Sequence, residues 1–245
     1  MPAVQWVCDL LRTELALGSF PDGVLPGEDA LIRGYGVSRG TIRQALLNLT
    51  DQGVLNRVRG AGTFVVAPTM LRHGIDESRD LAQDVNAGGV RITIRTSYAE
   101  LHPAVPALAT LLGLTAGEPV VIMESTTSLD GSPLSLRTAF LPGERFAVLV
   151  ERPDFDLDRS PYEIIAEVIG GPVGDTELQI GCSNADGLCA ELLDVPVGFA
   201  LLDTTRTIRA ADGTPLEYSK AHARADRISF STVMRAQANG SPPRS

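Results

Sequence analysis

The stretch "VSRGTIRQALLNLTDQGVLNRVRGAGTFVV", Val37 to Val66, holds four arginines and one acid, Asp51, in a chain of 245 residues that carries 30 Asp and Glu against 21 Lys and Arg. Ser38 is placed to cap a helix, and Ile42, Ala45, Leu46 and Leu49 follow at i, i+3, i+4 and i+7, so the spacing predicts an amphipathic helix reaching about Gln52. Gly53 closes it. "VLNRV", "RGAG" and "TFVV" then read as strand, glycine turn and strand, a β-hairpin.

Working outward toward the N-terminus, Val4, Val7, Leu11 and Leu15 predict a first helix that ends near Gly18. "GSFPDGVLPG" reads as a loop. Glu28 to Tyr35 reads as a short second helix, with Glu28 and Asp29 at its positive end. Helix, helix, turn, helix, hairpin is the order of a winged helix-turn-helix.

In the other direction, "APTMLRHGIDESRD" lacks periodicity and is read as a linker. Beyond it, "LLGLTAGEPVV" from Leu111 parallels "LLDVPVGFALL" from Leu192, and each leads through a strand to an Asp-Gly turn, Asp130-Gly131 or Asp212-Gly213, followed by a second strand. Asp-Gly between alternating segments is a strong hairpin signal, so an internal duplication at an offset of 81 or 82 residues is inferred. Such a pair builds one antiparallel sheet with helices against a face, and the fold class is α+β. The expected division is 1–67 for the winged unit, 68–77 for a linker, 78–236 for the second domain and 237–245 for a polar tail.

Composition sets the limits. A net charge of −9 argues against global attraction to nucleic acid or lipid, so any polyanion must meet a local patch. Apolar runs are too short to span a bilayer, and "MPAVQWVCDLL" carries Asp9 where a signal peptide carries a base, so a cytoplasmic protein without membrane attachment is expected. Cys8, Cys182 and Cys189 lack disulfide or zinc spacing and are expected to be buried apolar groups. The three histidines are scattered, and neither a catalytic triad nor a cofactor is expected.

The patch itself suits DNA. Arg39 and Arg43 lie four apart beside the apolar stripe of the third helix, and an arginine fork matches the O6 and N7 acceptors of guanine in the major groove. Ser38 and Thr41 stand at the helix N-terminus, where phosphate is favoured, and Arg57 and Arg59 flank the glycine turn.

Residues 25–66, "LPGEDALIRGYGVSRGTIRQALLNLTDQGVLNRVRGAGTFVV", resemble the DNA-binding domain of the GntR family of bacterial transcription regulators. The resemblance implies that Ser38, Arg39, Arg43 and Gly60 contact double-stranded DNA, with Arg59 just before the glycine. Two positions depart from the family: Asp29 stands where arginine is usual, and Gly40 where a hydroxyl residue is usual.

The pieces "LLGLTAGEPV", "DGSPLSLRTAFLP", "SPYEII" and "DGTPLEYSKAHARADRISF" resemble the UTRA effector domain of the HutC subgroup, which shares its fold with chorismate lyase. The resemblance implies a small-molecule effector, a homodimer and an inverted-repeat operator. It makes Arg137, Ser160, Tyr162, Glu217 and Arg224 the pocket candidates, with Ser125 and Thr127 at positions where relatives that bind amino-sugar phosphates carry arginines. Arg137 replaces a usual acid. A monoanionic or neutral effector is expected, and the implied function is a ligand-responsive regulator, a repressor in most such families. The rival is a chorismate-lyase-like enzyme fused to a DNA-binding unit.

Overall fold

The computed structural model describes residues 3–20, 22–58, 60–66, 71–74 and 91–232, which fall into two compact units, Met1–Met70 and Leu71–Ser245. Arg59, most of the expected linker and the expected tail lie outside the described residues.

In the first unit, α1 (Ala3–Ala16), α2 (Glu28–Tyr35) and α3 (Arg39–Asp51) surround a core of Val7, Leu11, Leu31, Ile42, Ala45, Leu46 and Leu49. The predicted stripe of α3 is buried, with Ile42, Ala45 and Leu49 fully enclosed. The predicted cap is present, since Ser38 Oγ accepts from the Thr41 backbone N–H at 3.2 Å. Gly36 ends α2 in the left-handed region, φ 66°, where a side chain would be strained. The wing pairs β1 (Leu55–Val58) with β2 (Gly62–Val65), Leu55 opposite Val65, and Leu55 pins it to the helical core. The segment read as a loop before α2 does more than connect. Val24 bridges to Phe64 and the Leu25 N–H donates to Thr63 O at 2.9 Å, covering the outer edge of β2.

In the second unit, a strand β3 (Leu71–Gly74) comes first and β4 (Ile92–Pro103) follows. Next come α4 (Pro106–Leu112), β5 (Pro119–Leu129), β6 (Ser132–Pro142), the short helical turns α5 (Gly143–Phe146) and α6 (Val148–Glu151), and α7 (Pro161–Ile169). The chain then forms β7 (Thr176–Asn184), α8 (Gly187–Leu193), β8 (Ala200–Arg209), β9 (Pro215–Arg224) and β10 (Ile228–Ser231). Six strands make one antiparallel sheet in the order β4-β5-β6-β9-β8-β7.

That order is the duplication made visible: β4-α4-β5-β6 and β7-α8-β8-β9 are two copies joined at the β6–β9 seam. Each copy opens with a strand that the sequence reading did not include. The register of the copies extends to backbone detail, because Gly113 after α4 and Asp194 after α8 both take positive φ, 68° and 53°. Aspartate is one of the few side chains that tolerate that conformation.

Three further expectations are corrected. Helices cover both faces of the sheet, since Val121, Met123 and Leu141 pack on Phe146 and Ile165 while the alternate residues Val120, Ile122 and Phe140 pack on Ala109 and Leu112 of α4. The strand β3 falls in the segment read as linker, and its partner β10 pairs with it in parallel from 157 positions later, Leu71 beside Ile228. A four-residue strand that needs such a distant partner leaves no local periodicity. Of the cysteines, Cys8 is buried, Cys189 is half-buried and Cys182 is exposed, so burial holds for the first alone.

Candidate functional site

The first unit brings its cations together through two acids. Arg39 Nη2 donates to Asp29 Oδ1 at 2.7 Å, and Arg43 Nε donates to Glu28 Oε2 at 2.9 Å. The other Glu28 oxygen, Oε1, accepts from Arg57 of the wing. Thus one carboxylate in the first turn of α2 ties the third helix to the hairpin. The hydrogen bond from Arg43 is the main reason that the Glu28 carboxyl sits below its ordinary range; burial opposes the shift, and Arg57 reinforces it.

Ser38 Oγ and Thr41 Oγ1 lie 2.9 Å apart at the N-terminus of α3, and Gly60 turns the wing with φ 81°. Arg39 and Arg43 remain more than half exposed in their pairs, so water competes with the carboxylates and a phosphate or a base edge could do the same. Glu28 is the member that residue-by-residue reading left out of this cluster, and with it the tie from Arg57 of the wing. The first-turn position of Glu28 suggested a helix-dipole role, and only the packing of α2 on α3 shows the clamp.

In the second unit, one face of the six-stranded sheet, together with α7, β3 and β10, encloses a cavity of about 440 Å³. Strand alternation aims every second residue into it, so Ser125 of β5, Arg137 of β6, Ala221 of β9 and Thr204 of β8 stand side by side in one row. Ser125, Thr127, Arg137 and Tyr162 of the predicted set line it.

Glu217 lies beneath the cavity, 1% exposed, and takes hydrogen bonds from Arg137 on Oε2 and from Arg206 (2.9 Å) and Ser219 Oγ (2.8 Å) on Oε1. Burial alone would raise its carboxyl; the two guanidiniums outweigh burial and hold it at about 2. Ser160 caps no N–H and is 3% exposed; its Oγ has no hydrogen-bond partner among the described residues.

Arg224 is a correction. It faces Asp226, at 2.9 and 3.1 Å, donates to Leu193 O and lies over the Phe199 ring, away from the cavity lining. Its strand position puts it on the face opposite Ala221 and Ala223, an alternation that motif matching does not track.

Arg206 was missed. Its guanidinium sits 4.9 Å from the Tyr162 ring centroid and pairs with Glu217. The duplication held the signal: Arg206 is the counterpart of Ser125 at an offset of 81, and Arg137 of Ser219 at 82, so each copy supplies one guanidinium.

Elsewhere in the unit, His222 Nδ1 lies 2.7 Å from Asp203 Oδ1, and Ser183 Oγ donates to the same oxygen at 3.0 Å. The hydroxyl meets the carboxylate and not the imidazole, which is not the order of an activated nucleophile. No helix among the described residues is long and apolar enough to cross a membrane.

A winged helix-turn-helix with clustered, half-exposed arginines, followed by a sheet that encloses a polar cavity, defines a DNA-binding regulator with its own small-molecule site. Comparison with known proteins agrees. Residues 4–65 match the bacterial regulatory proteins of the gntR family and residues 87–229 match the UTRA domain, so the chain belongs to the GntR family and carries the UTRA effector domain of its HutC subgroup. It is 30% identical over 229 residues to the HTH-type transcriptional regulator RB1450 of Rhizobium meliloti, covering 91% of each chain. It is 28% identical to the HTH-type transcriptional repressor NagR of Bacillus subtilis over 94% of this chain and 93% of that one. Its fold is similar to the crystal structure of PhnF from Mycobacterium smegmatis, with a TM-score of 0.68 at 28% identity over 87% of this chain and 92% of that one. The protein is a ligand-responsive transcriptional regulator and not an enzyme.

Proposed function

We propose that the chain acts in the cytoplasm as a homodimeric repressor that binds an inverted-repeat operator and changes its grip when a metabolite fills the second-unit cavity. In this reading residues 1–67 form the DNA-binding domain and 78–236 the effector domain, with β3 joining the latter. Ser38, Arg39, Thr41, Arg43 and Gly60 meet DNA, together with Arg59. Ser125, Thr127, Arg137, Ser160 and Tyr162 serve the effector, and Glu217 orients Arg137.

The observation that carries the proposal is the cavity lined by paired guanidiniums and hydroxyls, in a chain whose other unit presents Arg39, Arg43 and Arg57 as one cluster. The names of the repressors NagR and PhnF support the direction of control. A homodimer is supported by the edge strands β4 and β7, each paired on one side only among the described residues, and by exposed apolar side chains such as Ile180, Leu188 and Leu192. The effector acts through its differential affinity for two arrangements of the dimer.

Selection of bound DNA from a random pool, followed by sedimentation of the complex, tests the proposal. Two chains on a two-fold repeat are expected. A monomer on one unrepeated site would overturn it.

A further inference from the structure

We propose that Glu28 is the positioning residue that makes Arg43 a reader of bases: its carboxylate occupies the Nε edge of that guanidinium, leaves the Nη1–Nη2 edge for the paired acceptors of a guanine, and repels phosphate from the same arginine. The inference rests on the reading above that Arg43 meets DNA, and adds what fixes its geometry and its choice of acceptor.

Placement is the first argument. Glu28 opens α2, and Leu31, three residues on, is buried in the core shared with α3, so the two lie on the face that α2 turns to α3. The Glu28 side chain is 20% exposed, against 59% for Arg43 and 50% for Arg57. Both of its oxygens are taken, Oε2 by Arg43 Nε at 2.9 Å and Oε1 by Arg57, which β1 carries opposite Thr63 of β2. A carboxylate held at both oxygens from two different elements cannot turn away from either without breaking a charge-assisted bond. The Asp29–Arg39 pair differs, since both of its side chains are more than half exposed and a single contact joins them.

Selectivity is the second argument. An arginine can grip O6 and N7 of guanine by its Nε–Nη2 edge or by its Nη1–Nη2 edge. With Nε on Glu28 the second edge remains, and neither Nη group of Arg43 meets an acceptor among the described residues. The charge of Glu28 then separates the two kinds of acceptor that DNA offers. A phosphate is an anion and is repelled by a carboxylate one guanidinium away, while O6 and N7 carry only the partial charges of a neutral base. Glu28 therefore removes much of the attraction of Arg43 for the DNA backbone and little of its attraction for a base edge. The carboxyl, held below its ordinary range chiefly by the Arg43 hydrogen bond, keeps that charge at neutral pH.

The test selects DNA from a random duplex pool with the full chain, as wild type, Glu28→Gln, Arg43→Ala and the double variant. Fluorescence anisotropy then reads affinity for the wild-type consensus, its single-base variants and an unrelated duplex. Glu28→Gln keeps the shape and removes the charge. It is expected to bind the unrelated duplex about fivefold more tightly, with a salt slope steeper by about 0.9 as Arg43 gains a phosphate. It is also expected to lose about fivefold or more of the preference at the base position that Arg43→Ala identifies, with other positions unchanged. In the double variant, Glu28→Gln should remove no further preference. Glu28→Asp keeps the charge but withdraws it by one methylene, and is expected to lose the same preference without the gain on unrelated DNA; it carries the test if Glu28→Gln fails to fold. Wild-type preference together with wild-type affinity for unrelated DNA in Glu28→Gln, or an equal loss on every sequence, overturns the proposal while Arg43 keeps its base-reading role. If Arg43→Ala itself leaves every base preference intact, that role falls and the proposal falls with it.

Discussion

Replacing Asp29 by arginine reverses a charge at the edge of the DNA-reading cluster. Asp29 and Arg39 are both exposed and their ion pair at 2.7 Å is a surface pair, so its loss costs about 0 to 1 kcal/mol. Loss of a carboxylate in the first turn of α2 adds roughly 0.3 to 1 kcal/mol, because the helix N-terminus favours negative charge. The first unit should therefore be less stable by about 1 kcal/mol. DNA binding should move the other way. In the wild type a phosphate that takes Arg39 must displace Asp29 and then sit near its carboxylate. At about 8 Å in water each unit of charge reversed contributes roughly 0.5 kcal/mol, so two units give about 1 kcal/mol, or a fivefold gain. A new phosphate contact would steepen the slope of log affinity against log salt by about 0.9. Fluorescence anisotropy on the selected operator between about 50 and 300 mM salt reads both quantities. Asp29→Asn, which removes one charge without adding another, should gain about half as much and leave the number of phosphate contacts unchanged. An Asp29→Arg protein with wild-type affinity and slope would mean that position 29 does not face the DNA backbone, and that the Asp29–Arg39 pair is not in competition with phosphate.

Arg43→Ala should weaken binding by about 1 to 3 kcal/mol on the preferred operator and relax discrimination at one base position; equal weakening on all sequences would assign Arg43 to phosphate instead. Gly40→Ala should stabilise the first unit by about 0.5 to 1 kcal/mol in chemical denaturation, since the added Cβ meets only Ser38 Oγ, at an ordinary 3.8 Å, and glycine is a poor helix former; destabilisation would refute the assigned packing. The Glu217 carboxyl is held at about 2 against an ordinary 4.5, so its contribution, on the order of a few kcal/mol, is fully present above pH 4.5 and is lost as pH falls from there toward 2. Unfolding free energy of wild type and Glu217→Gln, followed between those pH values, should show the steeper acid loss in the wild type, and parallel curves would contradict the coupling.

The fate of individual residues shows where sequence reading reaches its limit. Ile42, Ala45, Leu46 and Leu49 were legible as a buried stripe because a helix is governed by contacts three and four residues apart, and all four are buried. The Asp-Gly turns and the repeated helix ends were legible for the same reason, their geometry being local. Glu28 was read as a helix-end acid, yet it binds Arg43 and Arg57, which lie 15 and 29 positions away. Arg224 stood in a matching motif and faces away from the cavity, while Arg206 stood in none and faces in. Alternation along a strand decides between them, and its phase is set by the pairing of β8 with β9, Arg206 opposite Ser219 and Arg224 opposite Leu201, which no short pattern reveals.

What the amino-acid order determined by itself is therefore everything set at short range: the three helices and the hairpin of the winged unit, the caps, the duplicated helix-to-hairpin pattern, and the local excess of arginine in an acidic chain. Tertiary structure alone decided the rest. It set the sheet order that brings β6 beside β9, the parallel partner of β3, and the two arginines from separate copies that share one buried carboxylate. The physical reason is that a lone side-chain charge is unstable out of water, so the roles of Arg137, Arg206 and Glu217 exist only once strands 80 residues apart have paired and the three groups desolvate together.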